Sequence, residues 1–326
     1  MKENKFTYIA ELCQNHLGNY DNVKRMVEEC AFNGANIIKL QYIYADNLVF
    51  RPEFEIGVKL NGVQKIIKRP YFKEKKRLKK LELKNKEFEK FVKICKEFEV
   101  EPAITCFARE HVNELYDLGF ETIKIASYDC SSFQLIREIG KKFKKIIIST
   151  GATYDNEISK TSKILESKNR NFSFLHCVTI YPTPLNQLNL KRINYLNKFT
   201  KNCGFSDHTI SKGKLKNFAS KAAIYFGANL VERHIRIFDR NMSKDGPVSI
   251  MPFDISDVIE FSKLSKSDQS LNLKENYNYQ ISKTFGKSQR KLSRIELLNR
   301  YYYRGRFGSL DRKNYRHIFN WEEIEI

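Results

Sequence analysis

The fold is constrained most by a repeat of eight short apolar runs, rich in β-branched residues and separated by stretches with helical spacing. The runs are "YIAELC" (8–13), "NIIKLQ" (36–41), "PAITC" (102–106), "TIKIAS" (122–127), "KIIIST" (145–150), "FSFLHC" (172–177), "NCGFSD" (202–207) and "NLVERH" (229–234). All start-to-start steps except the second are about 20 to 30 residues, the length of one strand and one helix. Eight such units predict a closed (β/α)₈ barrel, with an open doubly wound sheet as the alternative.

The long second step contains an insertion, residues 42–83, that would emerge on the face where the strands end. It is strongly basic, because residues 59–86 hold 12 Lys and Arg against 2 Glu, half of the net charge of +20. A lysine run of this kind is typical of a solvated helix face. Placed over a site, it would instead favour a sugar that carries phosphate or nucleotide, or an acidic partner protein.

The last segment is also basic and contains "NRYYYRGRFGSLDRKNYRHIFNWEEIEI". We therefore divide the chain into a barrel of residues 1–265 and a basic aromatic tail of residues 266–326. The tail either packs on the barrel or a second subunit, or forms a lid whose Arg304 or Arg306 meets an anionic or acylated substrate. Alternating Arg and Tyr also suits single-stranded nucleic acid, but the basic excess is local, which makes that partner the weaker interpretation.

Composition and cysteine usage predict a soluble cytoplasmic protein without membrane association. No apolar run approaches the roughly 18 residues of a membrane helix, and polar residues interrupt the first twenty positions, where a signal peptide would be apolar. The seven cysteines stand singly, without a CxxC pair, as is typical of buried thiols in a reducing compartment.

Polar residues collect where the predicted strands end. In a (β/α)₈ barrel the carboxyl ends of the strands face the active site, whereas positions in the middle of each strand fill the core. The strand-end residues are Glu11, Gln14, Lys39, Gln41, Thr105, Lys124, Ser127, Ser149, Thr150, His176, Tyr181, Ser206, His208, Glu232 and His234. A purely structural barrel would not need lysines and histidines at its rim, so their position predicts an enzyme.

His208 and His234 follow the last two strands, which are neighbours around a closed barrel. Two imidazoles leave most of an octahedral sphere free for water and substrate oxygens, which suits a divalent ion acting as a Lewis acid. The alternative is that one or both histidines only satisfy backbone hydrogen bonds.

Lys39 and Lys124 lie inside apolar runs, where an unpaired ammonium group is costly, so each should face an anion. That anion is either a neighbouring glutamate or a substrate phosphate or carboxylate. Lys124 could instead form a Schiff base. Glu11 is a lone carboxylate that would act as a structural ion-pair partner or as a general acid/base.

Taken in order, seven segments resemble the sialic acid synthase family, whose barrel enzymes condense phosphoenolpyruvate with an N-acylated hexosamine. They are "IAELCQNHLGN", "IIKLQ", "IKIAS", "IISTG", "LHCVTIYPTP", "GFSDHT" and "GANLVERHIRIFDR". The resemblance spans about residues 6–262 and implies a homodimer. Family members commonly carry a C-terminal antifreeze-like domain that supplies an arginine to the partner's sugar site, and residues 266–326 lack the glycine pattern of that domain.

The resemblance implies roles for the matching positions. His208 and His234 would bind a divalent metal, with Mn²⁺ expected and Mg²⁺ or Co²⁺ as alternatives, and Glu11 would be the acid/base. Phosphoenolpyruvate would contact Lys39, Thr105, Lys124, Ser127, Ser149 and Ser206. The acceptor sugar would contact Gln41, Tyr181 and Asp245. In "GFSDHT", Asp207 would brace the loop or orient His208.

Four departures from the family pattern concern substrate binding, and the first, Ile180, implies the loss of one contact to the phosphoenolpyruvate donor. Ile180 stands where the family has a polar residue, and Leu17 changes "NHNG" to "NHLG". Asp129, the acidic residue after Ser127, follows Tyr128 instead of a glycine, and "KDGPVS" replaces "GPDHKAS" around Asp245. We keep Asp129 and Asp245 as substrate-binding residues and expect an altered pocket.

The implied activity is a metal-dependent condensation of phosphoenolpyruvate with an N-acetylmannosamine-like aldose, giving a sialic-acid-like nonulosonic acid and phosphate. One alternative is the same chemistry on a different aldose, including a phosphorylated one. The other is a non-catalytic barrel that serves as a binding or scaffold subunit.

Overall fold

Eight parallel strands form a barrel in the computed structural model, which describes residues 6–277 and 280–324. The strands are β1 (Thr7–Cys13), β2 (Ile37–Tyr42), β3 (Val58–Leu60), β4 (Val63–Ile66), β5 (Glu101–Cys106), β6 (Thr122–Ile125), β7 (Lys145–Ser149), β8 (Asn171–His176), β9 (Cys203–Asp207), β10 (Leu230–His234), β11 (Gly308–Asp311) and β12 (Arg316–Phe319). The helices are α1 (Tyr20–Phe32), α2 (Glu53–Ile56), α3 (Tyr71–Lys79), α4 (Asn85–Glu97), α5 (Val112–Asp117), α6 (Phe133–Lys142), α7 (Asp155–Glu166), α8 (Arg192–Leu196), α9 (Phe218–Tyr225), α10 (Asp254–Lys263), α11 (Lys266–Tyr277), α12 (Gln280–Thr284) and α13 (Arg294–Tyr303).

The barrel closes in the order β1–β10–β9–β8–β7–β6–β5–β2, with β1 paired to both β10 and β2. This confirms the predicted (β/α)₈ barrel and excludes the open sheet. Each predicted run contains one barrel strand to within two residues at either end. The register places Glu11 beside Lys39 on one side and beside His234 on the other, so these three residues lie at one level of the barrel.

Side chains alternate between the two faces of each barrel strand and so contribute to two separate hydrophobic cores. An inner layer fills the barrel and consists of Ile9, Ile37, Ala103, Ile147, Leu175 and Leu230. The residues that alternate with them pack against the surrounding helices in a larger core. Because successive side chains point to opposite faces of a strand, the inward position fixes which strand-end residues reach the mouth of the barrel.

Residues next to helix α1 in the sequence set where it begins and ends. Helix α1 starts at Asn19, whose side-chain oxygen accepts hydrogen bonds from the backbone N–H groups of Asp21 and Asn22. It buries Val23, Met26, Val27 and Cys30 at helical spacing. It is followed by Gly34 at φ +89°, a conformation that a side chain would strain.

The insertion after β2 contains α2, the β3–β4 hairpin and α3. On α3 only Glu74 and Leu78 are buried, and its lysines reach solvent or lie half-buried. The prediction of a largely solvated basic helix is therefore correct for α3. Helix α3 nevertheless turns the Glu74 carboxylate and half-buried Arg77 toward the barrel mouth, where Arg77 donates to Gln14 at 2.6 Å.

The tail lies on the barrel. Asn299 and Arg300 of α13 donate to the backbone carbonyls of Thr179 and Ala152, both at 2.6 Å. Near the end of the tail, the carbonyl of Glu322 accepts a hydrogen bond from Arg109 of the barrel at 2.6 Å. Between these contacts the chain crosses the strand ends, and Phe307 forms an antiparallel bridge with Leu48 of the insertion.

No helix in the part of the chain that the structure describes is both long enough and apolar enough to cross a membrane.

Candidate functional site

A cavity of about 390 Å³ opens at the carboxyl ends of the strands. The strand ends line its inner end, and the insertion, the loop after β10 and the tail line its outer end. All thirteen predicted site residues line it: Glu11, Lys39, Gln41, Thr105, Lys124, Ser127, Asp129, Ser149, Tyr181, Ser206, His208, His234 and Asp245. The structure thus brings the predicted set together, while the role of each residue stays a prediction.

Two buried lysines and two buried glutamates form the inner end. Lys124 Nζ lies 2.8 and 2.7 Å from the two carboxylate oxygens of Glu232, and Lys39 Nζ pairs with Glu11 and lies 3.7 Å from Glu232. Both lysines therefore face glutamates in this structure, as one of the two sequence interpretations predicts. Glu232 was recognised as a strand-end residue but received no role, although it connects the two lysines.

The hydroxyl groups of the inner end extend this network. Thr105 Oγ1 accepts from Lys39 Nζ at 3.1 Å, and Ser206 Oγ donates to Glu232 at 2.8 Å. Ser127 Oγ lies 3.1 Å from the sulfur of Cys177, and Ser149 also lines the cavity. The inner end therefore carries cations and hydroxyl donors around one small volume, as an anion requires.

Burial and neighbouring charges shift the pKa values of the ionisable groups at the inner end. Burial lowers the pKa of Lys39 to about 7, against the opposing field of Glu232, and the charge of Lys124 adds to the lowering. Burial would raise the pKa of Glu232, but Lys124 and Lys39 outweigh it and hold that pKa below its ordinary value. Glu232 is therefore ionised at neutral pH, and Lys39 is close to its titration point.

His208 and His234 lie side by side, with ring centroids 5.2 Å apart, and Tyr181 packs edge-on against His208 at 4.6 Å. Both Nδ1 atoms are buried and have no hydrogen-bond partner among the described residues. Burial lowers the pKa of both imidazoles, and His234 lowers that of His208 further. Both rings are therefore neutral at pH 7, the form that binds a metal.

Within residues 6–277 and 280–324, no three His, Cys, Asp or Glu side chains converge as a metal cluster. A divalent ion held by His208 and His234 would therefore have to take its other ligands from substrate and water. The unpaired nitrogen atoms of the two histidines argue against a purely structural role, in which backbone groups would satisfy them.

The predicted sugar contacts lie above the inner end. Gln41 Nε2 donates to the sulfur of Cys13 at 3.3 Å, and the Cys13 thiol donates to Asp245 at 2.9 Å. Asp129 accepts from Ser132 at 2.8 Å and from the tail residue Asn320 at 3.1 Å. Asp245 thus still reaches the cavity despite its altered loop.

Sequence reasoning placed two residues wrongly at the barrel mouth. His176 is buried away from the cavity, with Nε2 2.6 Å from the carbonyl oxygen of Leu188, because its neighbour Leu175 takes the inward position of β8. Thr150 bonds to the carbonyl of Leu175 and does not line the cavity. Both errors have one cause, since every second residue of a strand points outward.

The same alternation explains the polar triplet of "GFSDHT". Ser206 and His208 line the cavity, whereas Asp207 points outward, where it pairs with Arg233 and accepts from the N–H of Thr209 at 2.8 Å. Asp207 therefore braces the loop, as one of its two predicted roles requires, and makes no hydrogen bond to the His208 ring.

Several lining residues were not predicted as a group, because they come from the insertion, the β10 loop and the tail. They are Arg69, Arg77, Lys244, Asn299, Tyr303, Arg306 and Phe307. Of the two arginines considered for a lid, Arg306 lines the cavity, whereas Arg304 lies over the ring of Trp321 at 4.6 Å. Tyr303 stacks on Tyr128 with ring centroids 4.6 Å apart.

The fold and the site together define a (β/α)₈ barrel enzyme with a cavity at the strand ends that is lined by two buried lysines. The model of the NeuB family matches residues 26–273. The protein belongs to the NeuB family, which confirms the resemblance to the sialic acid synthases.

Named relatives agree with this assignment. N,N'-diacetyllegionaminic acid synthase of Campylobacter jejuni is 30% identical over 303 residues, which cover 90% of this chain and 82% of that protein. N-acetylneuraminate-9-phosphate synthase of Homo sapiens is 26% identical over 267 residues, 78% of this chain and 69% of that protein. The solved N-acetylneuraminic acid synthetase of Leptospira borgpetersenii shares the fold, with a TM-score of 0.67 and 23% identity over 84% of this chain and 93% of that chain.

Proposed function

We propose that the protein is a metal-dependent synthase that condenses phosphoenolpyruvate with an N-acetylmannosamine-like aldose, giving a sialic-acid-like nonulosonic acid and phosphate. The observation that carries this proposal is the meeting of two lysines, two glutamates and a pair of neutral histidines at the inner end of the cavity. The named synthases among the relatives support the same chemistry. A scaffold subunit would have no use for this set.

In the proposed reaction, Lys39 and Lys124 hold the phosphate and carboxylate of phosphoenolpyruvate, and the hydroxyls of Thr105, Ser127, Ser149 and Ser206 donate to the same oxygens. To do so, each lysine exchanges part of its contact with glutamate for a contact with the donor. A Schiff base at Lys124 is not needed, because the donor already carries the nucleophilic carbon.

His208 and His234 would hold a divalent ion, expected to be Mn²⁺, with Mg²⁺ or Co²⁺ as alternatives. When bound, such an ion supplies Lewis-acid polarisation of the aldehyde oxygen of the open-chain sugar. Gln41, Tyr181, Asp129 and Asp245 would orient that sugar so that its aldehyde carbon faces C3 of phosphoenolpyruvate.

Glu11 would serve as the acid/base of the reaction. Carbon C3 of the donor bonds to the aldehyde carbon, whose oxygen takes a proton from Glu11, and water then adds at C2 and returns a proton to Glu11. The C2–O bond to phosphate breaks, and the product keeps a 2-keto acid group. Because Glu11 pairs with Lys39, its proton affinity depends on whether Lys39 is engaged by the donor.

The proposal is tested by following phosphate release from phosphoenolpyruvate, Mn²⁺ and N-acetylmannosamine. We expect release that stops with chelator and is lost in His208→Ala, while the control His317→Ala, at a half-buried position outside the cavity, behaves like the wild type. Release that persists with chelator would refute the metal requirement. A protein that binds neither Mn²⁺ nor phosphoenolpyruvate would be a scaffold.

A homodimer and a cytoplasmic location are part of the same proposal. All seven cysteines are buried free thiols, which supports a reducing compartment. Size measured by light scattering tests the dimer.

A further inference from the structure

The outer end of the cavity is lined by four cationic side chains. They are Arg69 and Arg77 of the insertion, Lys244 of the loop after β10, and Arg306 of the tail. They are brought together from three distant places in the sequence. The outer end therefore differs from the inner end, where each lysine has its own glutamate.

The carboxylate of Glu74 lies within ion-pair distance of three of these cations. Glu74 lies 3.0 Å from Arg77 Nε and 3.6 Å from Lys244 Nζ, and it also pairs with Arg306. Burial opposes its ionisation, but Arg77, Arg306 and Lys244 lower the pKa of Glu74 to about 2. It is thus fully charged at neutral pH, and Asp245 also attracts Arg77 and Lys244, so four cations and two carboxylates leave two positive charges in excess.

Arg69 is the cation that Glu74 does not reach. Its Nε atom is buried without a hydrogen-bond partner, and Nη1 donates only to the neighbouring carbonyl of Lys68 at 2.9 Å. In the described parts of the chain, no carboxylate lies within 4 Å of its guanidinium nitrogens. An arginine facing a cavity with unused donors calls for an anion from outside.

Of the other carboxylates that line the cavity, Asp245 attracts Arg77 and Lys244 without pairing with either, so it offsets only part of the positive charge. Asp245 accepts from the Cys13 thiol, and Asp129 accepts from Ser132 and Asn320. Among the described residues, neither comes within 4 Å of the four cations.

The pKa of Lys244 reflects the same excess of positive charge. Although 41% of its side chain is exposed, partial burial lowers the pKa of Lys244 to about 8 against the attraction of Glu74, and Arg306 and Arg77 lower it further. A second anion beside Glu74 would relieve this repulsion.

We propose that Arg69, Arg77, Lys244 and Arg306 form a subsite for a phosphomonoester carried by the acceptor sugar. The inference rests on the proposed function and adds a substrate class to it: an aldose phosphate whose aldehyde reaches the inner end while its phosphate stays at the outer end. A phosphomonoester carries up to two charges and three acceptor oxygens, which match the forked donors of three arginines and the two excess charges. A neutral sugar would leave this excess of positive charge uncompensated.

The test compares kcat/KM for N-acetylmannosamine and for its 6-phosphate, in the wild type, Arg306→Gln and Arg304→Gln. We expect the wild type to prefer the phosphate by at least about 10-fold, the gain from a charged hydrogen bond. We expect Arg306→Gln to lower kcat/KM for the phosphate by about 10- to 100-fold. Arg304→Gln removes the same charge two residues away, outside the cavity, and should change that ratio less than about 3-fold.

Arg69→Gln is the second variant, because Arg69 pairs with no described carboxylate and its loss should leave the thermal midpoint close to that of the wild type. It should lower the preference for the phosphate in the same direction as Arg306→Gln. If both variants keep the wild-type preference, the subsite assignment is wrong.

Calorimetry separates this inference from the proposed function. The sugar phosphate, N-acetylmannosamine and inorganic phosphate are each titrated into protein saturated with phosphoenolpyruvate, without metal. Tight binding of the sugar phosphate alone, weakened in Arg306→Gln, supports the subsite even if the condensation is not observed. Equal binding or turnover of the two sugars overturns the subsite and leaves the synthase standing. Binding of inorganic phosphate as tight as that of the sugar phosphate also overturns it, since the site would then accept free phosphate.

Discussion

The two ends of the cavity handle charge differently. At the inner end, Lys39 and Lys124 are matched by Glu11 and Glu232, so the buried charges cancel before any substrate arrives. At the outer end, four cations face only two carboxylates, Glu74 and the more distant Asp245, and keep an excess. Burial explains the difference, because an unpaired charge is far more costly deep in the barrel than at its half-exposed mouth.

This contrast has a consequence for binding. A donor anion at the inner end must compete with two carboxylates that are already in place, so its affinity depends on geometry and on protonation. An anion at the outer end meets an uncompensated field and gains from attraction at longer range. The experiments below are directed at one end or the other, beginning with the largest expected effect.

Lys124→Met breaks the balance of the inner end. We expect it to lower the free energy of unfolding by about 3 to 5 kcal/mol, because the buried Glu232 carboxylate loses its closest cation. Phosphoenolpyruvate affinity should fall by about 10- to 100-fold with the loss of a charged contact. Urea denaturation measures the first effect and calorimetry the second.

The double variant Lys124→Met/Glu232→Gln is the matched control. It removes both charges, so most of the lost stability should return while phosphoenolpyruvate binding stays weak. Wild-type affinity in the double variant would show that Lys124 serves only to neutralise Glu232.

Glu74→Gln shifts the outer end further toward positive charge. We expect the free energy of unfolding to fall by about 1 to 3 kcal/mol, a discounted value because Arg77 and Lys244 are partly exposed. A sugar phosphate should bind several-fold more tightly to the variant. Because the folded-state pKa of Glu74 is depressed from 4.5 to about 2, its stabilising effect is present above pH 4.5 and is lost as the pH falls toward 2.

Urea denaturation between pH 7 and pH 3 checks this prediction, with the surface variant Glu260→Gln as control. Glu260 forms an exposed pair with Lys263, whose loss should cost less than about 1 kcal/mol. A stability gap between wild type and Glu74→Gln that does not narrow in acid would contradict the assigned ion pairs.

Titration of Lys39 should make both phosphoenolpyruvate affinity and the free energy of unfolding depend on pH. Because its pKa is about 7, we expect phosphoenolpyruvate affinity to fall as the pH rises above 7, approaching about tenfold per unit as the amine becomes neutral. The free energy of unfolding should instead rise with pH. Between pH 7 and 10.5 the Lys39 amine is protonated in the unfolded chain and neutral in the folded chain, so raising the pH favours the folded state.

Calorimetric titration of phosphoenolpyruvate between pH 6 and pH 9 measures this effect in the wild type and in Lys39→Arg. The guanidinium group keeps its charge throughout, so the variant should have a flatter profile. Identical profiles would assign the pH dependence to another group.

Much of the barrel and its inner site was predictable, because both depend on local periodicity. Strand-end positions such as Lys124 and His234 follow from where each apolar run stops, and closure of the barrel brings all the ends together. The failures at His176 and Thr150 arose because position near a strand end does not say which face a side chain takes. Glu232 was placed at a strand end but given no role, because its partners lie on other strands, 108 residues away in the case of Lys124.

The sequence by itself determined the barrel, the level at which its chemistry lies and the family to which it belongs, since these follow from spacing between near neighbours. Only the tertiary structure decided which charges meet. Arg69, Glu74, Lys244 and Arg306 have no shared local pattern, and the choice of Arg306 over Arg304 depends on how the tail crosses the strand ends. The physical reason is that ion pairing depends on distance in space, and long-range packing sets that distance between residues far apart in the chain.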